Sequence, residues 1–68
     1  MAILKVIEVL ASSEKSWEDA ARNAVKTAGK TVKGIRSVYV QESSALVKDN
    51  DIVEYRVNVK ISFEVISD

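Results

Sequence analysis

Between Val53 and Val65 the sequence alternates without a break: Val53, Tyr55, Val57, Val59, Ile61, Phe63 and Val65 interleave with Glu54, Arg56, Asn58, Lys60, Ser62 and Glu64. A period of two marks a strand with one buried and one polar face. At about 3.3 Å per residue this run makes a strand of roughly 40 Å. A compact chain of 68 residues has a radius of gyration near 11 Å and a body under roughly 30 Å across. The strand is therefore too long for the domain it belongs to. Either it bends back over itself as a curled hairpin, or a second copy of the chain covers part of its apolar row. Oligomerisation is the favoured reading, and it is the usual route by which so small a chain gains stability.

The rest of the chain supplies too little to cover that row alone. Ile3 to Ala11 (ILKVIEVLA) is short and rich in β-branched residues, which predicts a strand apolar on both faces and interrupted only by Lys5 and Glu8. The polar cluster Ser12-Ser13-Glu14-Lys15-Ser16 reads as a turn, and Ser16-Trp17-Glu18-Asp19 has the form of a capping box, with Ser13 a competing cap. After it, Trp17, Ala20, Ala21, Ala24, Val25, Ala28 and Val32 recur at helical spacing. Early acids and late lysines complement the helix dipole. Because Val32 keeps the spacing, Gly34 is preferred over Gly29 as the residue that ends the helix. Such a helix spans about 23 Å at 1.5 Å per residue. Ile35 to Val47 reads as a long, irregular strand, and Lys48-Asp49-Asn50-Asp51 as a turn lacking the glycine that a tight hairpin favours. The predicted class is α+β: a single domain over residues 1–68, ordered β-α-β-β, with a three-stranded antiparallel sheet wrapping one amphipathic helix.

Composition excludes much chemistry. The chain has no cysteine, histidine or proline. Disulfides, thiolate and imidazole metal sites, a Cys nucleophile, a Ser-His-Asp triad and a histidine switch are all ruled out. Ten basic and ten acidic residues give a formal net charge of zero, which argues against nucleic acid and anionic membranes as partners. The opening apolar run is broken by Lys5 and Glu8, so neither a signal peptide nor a span is expected and the cytoplasm is the default. Ala24 to Thr31 has the outline of a relaxed phosphate loop, but it sits at the back of a helix, whereas phosphate binding needs the front. Asp49, Asp51 and Glu54 could offer oxygen ligands to a divalent ion, yet acids in a turn read first as solvated turn formers. Trp17, Tyr39 and Tyr55 read first as packing groups, with ligand stacking by Trp17 the alternative. Arg56, mid-strand on the polar face, is either a surface ion pair or a donor fork lining a groove. No nucleophile–base pair is evident, and an enzyme is not expected.

The chain resembles a dodecin. The resemblance runs from Lys5-Val6 through Ser13, Ser16-Trp17-Glu18, the alanine-rich helix Ala20 to Ala28 and Thr31-Val32, to Glu54-Tyr55-Arg56-Val57 and Ile61-Ser62-Phe63-Glu64-Val65. It implies long strands wrapped around a helix and a hollow shell of twelve copies, a homododecamer. It also implies binding of flavins such as riboflavin or FMN in grooves between subunits, for storage or quenching and not for catalysis. In the family the ring stacks on a tryptophan and is hydrogen-bonded by a glutamine; aligned without gaps, those positions are Ser37 and Arg56 here. Ser37 offers no stacking platform, and losing one forfeits about 1 kcal/mol per contact. Tyr39, two residues on and on the same strand face, is the candidate substitute. Lacking the tryptophan and carrying arginine, the sequence looks closer to the non-flavin branch described as calcium-binding dodecins. The resemblance thus implies a shell binding a small ligand or ion, with calcium a candidate and flavin binding weak. The alternatives are an ordinary flavin-binding dodecin using Tyr39 and a purely structural oligomer without ligand.

Overall fold

The computed structural model describes residues 3–65. Strand β1 (Ile3–Ser13) leads to helix α1 (Trp17–Ala28), then to β2 (Ile35–Lys48) and β3 (Asp51–Val65). All pairing is antiparallel and the strand order is β1-β3-β2. The strongly alternating segment is thus the central strand, hydrogen-bonded on both edges. The expected α+β class and β-α-β-β order are found.

The alternation assigns the faces as the sequence implied. Val57, Val59 and Ile61 are buried together with Ala20 and Ala24 of the helix, and Ile7, Val9, Ala11, Val25 and Ile35 pack around them. Alanines on the helix let its backbone lie close to the sheet, so the core is thin. Phe63 shares this face but is only half-buried.

Ser16 caps the helix: its Oγ accepts from the Asp19 N–H at 3.0 Å. The other half of the expected box does not form. The Asp19 carboxylate instead accepts from the buried hydroxyl of Ser13 at 2.6 Å, and that hydroxyl accepts from the Lys15 N–H. This holds the Asp19 carboxyl below its ordinary value of 3.8, through the Ser13 hydrogen bond first and the nearby Lys15 charge after it.

Two expectations about chain reversal are corrected. The helix ends at Ala28, capped by Gly29 in a right-handed conformation, and not at Gly34. Val32 kept the helical spacing because the chain goes on winding in turns: the N–H groups of Thr31 and Val32 both donate to the Ala28 carbonyl. Gly34 serves β2 instead. Its φ is +77°, its carbonyl accepts from the Glu64 N–H, and a Cβ there would lie 3.1 Å from the Glu64 carbonyl oxygen. The second correction is the hairpin. Asp49 and Asn50 alone form a two-residue turn, with φ of 54° and 66°. Both residue types tolerate the left-handed region, so no glycine is needed.

The body is elongated. Its principal extents are 54 × 20 × 13 Å and its radius of gyration is 14.0 Å, against about 11 Å for a compact chain of this length. The 12-residue helix spans only about 18 Å of it. Among the described residues no helix is long and apolar enough to cross a membrane.

Candidate functional site: the outer face of the sheet

The face turned away from the helix carries the even-numbered residues of β3 as its central row: Glu54, Arg56, Asn58, Lys60, Ser62 and Glu64. Pairing register adds Leu4, Val6, Glu8, Leu10 and Ser12 from β1, and Ser37, Tyr39, Glu42, Ser44 and Leu46 from β2. Apolar side chains are left open on both flanks, with Leu10 80% and Tyr39 63% exposed. Large apolar side chains thus lie exposed on either side of the polar central row.

All three sequence-predicted residues lie on this face, but not together. Ser37 is opposite Ser62, and their hydroxyls are hydrogen-bonded to each other. Tyr39 is opposite Lys60, next along the same edge. Arg56 is opposite Ser12 on one side and Ser44 on the other. Ser62 lies six positions along β3 from Arg56, about 20 Å of strand. A small ligand touching both the Ser37 and Arg56 positions therefore cannot do so within one chain.

Arg56 stands in an open groove of about 490 Å³ lined by Leu10, Ser12, Glu42, Ser44 and Asn58 and floored by Ala11 and Val57. Its Nε donates to Glu54 at 3.3 Å, the ion pair the sequence allowed for, and its side chain remains more than half exposed. Asn58 lines the same groove, and its Oδ1 is buried with no hydrogen-bond partner among the described residues; a buried acceptor of this kind is uncommon. Sequence reasoning missed Glu42, Ser44 and Asn58. Alternation along β3 marked Asn58 as outward-facing, but only the cross-strand register puts it between Leu10 and Glu42.

The other motifs resolve as structure. Trp17 meets Tyr55 edge-on at 4.8 Å and donates from Nε1 to the Ser44 carbonyl at 2.8 Å. The phosphate-loop outline straddles the helix C-terminus, which presents carbonyl oxygens and a negative dipole end. Asp49 is a turn residue, Asp51 opens β3 opposite Lys48, and Glu54 is engaged by Arg56. Among the described residues no three acidic side chains gather as a metal site.

Comparison with known proteins agrees with this architecture. The Dodecin family model matches residues 3–66. Calcium dodecin of Mycobacterium tuberculosis is 35% identical over 65 residues, covering 96% of this chain and 92% of that protein. The crystal structure of that calcium-chelating protein superposes with a TM-score of 0.81 at 34% identity, covering 94% of this chain and 91% of its own. A dodecin from Streptomyces coelicolor superposes more closely, at 0.91, but at 24% identity over 98% and 96% of the two chains. The two measures rank these relatives differently. Backbone superposition speaks for the shared fold and not for the ligand. Long strands wrapped on one short helix, matched by a family model over nearly the whole chain, place this protein in the dodecin family.

Proposed function

We propose that the chain assembles into a homododecameric shell in the cytoplasm that binds or sequesters a small ligand or ion and catalyses no reaction. The observation that carries this reading is the outer sheet face. It holds Ser37 and Tyr39 side by side and Arg56 about 20 Å of strand away from the Ser37 position, so a site that uses both the Ser37 and Arg56 positions draws them from two copies. The exposed apolar flanks at Leu4, Val6 and Leu10 supply a reason for the copies to meet there.

The residues present fit a flavin poorly. The Ser37 hydroxyl is engaged with Ser62 and has no ring to offer, and Arg56 adds charge where the family places a neutral amide. Flavin binding is accordingly weak. For an ion, the similarity to calcium dodecin supports calcium. The groove beside Arg56 offers the carboxylate of Glu42 and the hydroxyls of Ser12 and Ser44, a hard-donor set. One carboxylate is too few for calcium, and a second copy would double it. The exposed ring of Tyr39, on the same face as Ser37, favours one second reading: an ordinary flavin store with Tyr39 as platform.

Titrating the purified protein with riboflavin, followed by fluorescence quenching, and with calcium, followed by calorimetry, tests the proposal. Weak quenching with saturable calcium binding is expected. Tight riboflavin binding would install the Tyr39 reading. Shells that bind neither and retain no small molecule would be purely structural.

A further inference from the structure

The groove beside Arg56 has its walls on different strands: Ser12 of β1 and Ser44 of β2 both pair with Arg56 and both line it. The next rung of the sheet, Ser13, Tyr55 and Ala45, runs through the same three strands and faces the helix. The start of the helix holds this inner rung at two points. The Asp19 carboxylate accepts from the buried Ser13 hydroxyl at 2.6 Å, and the Trp17 and Tyr55 rings meet edge to face. Trp17 also reaches the outer rung, where its Nε1 donates to the Ser44 carbonyl at 2.8 Å. Among the described residues no other side-chain hydrogen bond joins the helix to β2.

The two walls are not equally secure. β1 pairs with β3 in unbroken register from Ile3 to Ser13. β2 shifts register at Val40/Glu42 and again at Leu46/Val47, so Glu42 and Ser44 lie between two irregularities of an edge strand. Such a stretch opens more readily than a regularly paired one. We infer that Trp17 is a positioning residue of the Arg56 groove: by holding the Ser44 carbonyl it fixes the β2 wall, with the Ser44 hydroxyl and the Glu42 carboxylate, opposite Ser12 and Arg56. Trp17 does not itself line the groove; it acts through the backbone of β2. This rests on the ligand-binding reading of the groove proposed above and adds what keeps its geometry. Linkage makes the effect reciprocal, so a ligand that orders the β2 wall also steadies the indole hydrogen bond. Trp17 is the only tryptophan of the chain, and its emission therefore reports on the wall.

Trp17→Phe keeps an aromatic ring for Tyr55 and removes the donor. Hydrogen–deuterium exchange of the ligand-free protein should speed up by about threefold or more at residues 42–46, within the worth of one hydrogen bond, and stay as in wild type at residues 57–61. Calorimetric titration with calcium alone should show an affinity lowered by a similar factor. Ile61→Val loosens the core away from the groove, and its calcium affinity should equal that of wild type. In wild type, calcium should change Trp17 emission with the same midpoint as the heat, and Glu42→Gln should abolish both. Unchanged exchange at residues 42–46 in Trp17→Phe would overturn the inference. So would calcium binding that leaves Trp17 emission unmoved, or an affinity loss that Ile61→Val reproduces. Should Trp17→Phe fail to fold, as judged by circular dichroism, the wild-type emission decides. A wild type that binds no calcium removes the ion reading of the groove and not the positioning role, which exchange at residues 42–46 decides without a ligand.

Discussion

Replacing Ile61 with alanine probes the centre of the fold. Ile61 is fully buried on β3, in one cluster with Val57, Val59, Ala20 and Ala24. The substitution deletes three carbons. At about 0.8 kcal/mol per buried methylene the transfer loss is about 2.4 kcal/mol. The void adds to this in proportion to what the surroundings fail to fill, at about 24 cal/mol per Å³. Here refilling is poor. The facing helix presents alanines, which have no length to extend, and the neighbours along the strand are β-branched valines with restricted rotamers. A total of about 3–4 kcal/mol per subunit follows. Phe63→Ala is the informative companion: Phe63 is half-buried in the single chain, so a loss of about 3 kcal/mol or more there would mean that a second copy completes its burial. Urea unfolding at a fixed protomer concentration measures both, with Lys60→Ala on the opposite face as a reference expected to change stability by under about 0.5 kcal/mol. If Ile61→Ala falls below about 1 kcal/mol, or matches Lys60→Ala, the two faces of β3 have been assigned backwards.

Three further outcomes are expected. Asn50→Ala should destabilise by about 1 kcal/mol, because alanine at a φ of 66° loses the tolerance that asparagine has there; Asn50→Gly should be neutral or stabilising in the same urea assay. Asp19 has a folded-state pKa below its ordinary 3.8, chiefly through the Ser13 hydroxyl. The stabilisation it contributes is therefore complete above pH about 4 and is lost as pH falls through the lowered folded value. Ser13→Ala should flatten the stability–pH profile in that acidic window and leave the neutral-pH slope unchanged. Ser37→Trp should tighten riboflavin binding by about two- to twelvefold for one stacking contact, and Arg56→Gln should add to the gain. Tight wild-type binding unaffected by Ser37→Trp would shift the site to Tyr39.

What the sequence made legible was decided by periodicity, and what it hid was decided by pairing. The alternation of β3 is strict because that strand has a neighbour on each edge and a helix on one face, so core and outer rows could be read directly. β2 has no such regularity. Its register shifts at Ile35/Ser37, Val40/Glu42 and Leu46/Val47 each offset the inward and outward positions, which is why it read as irregular. The same shifts place Glu42 on the outer face beside Asn58, a contact that no single-strand pattern encodes. The helix end was misplaced for a related reason: turns after Ala28 hold Val32 near the line of the helix stripe, and periodicity does not distinguish a helix from turns that continue its winding. The turn itself was legible at residues 48–51, and its tightness follows from Asp49 and Asn50, which take the left-handed backbone in place of glycine. Of the candidate site, the face shared by Ser37, Tyr39 and Arg56 was accessible in advance. Their 20 Å separation followed only once Ser37 was paired with Ser62.

That separation, the elongated shape and the exposed apolar flanks all support the proposed assembly, a shell of many copies. The mass of the native particle together with its non-covalent contents tests it most directly. Native mass spectrometry at micromolar protomer should show a single species at about twelve times the 7.5 kDa chain, carrying a bound ion or small ligand that exchange of buffer does not remove. A monodisperse, folded species at 7.5 kDa would contradict the account.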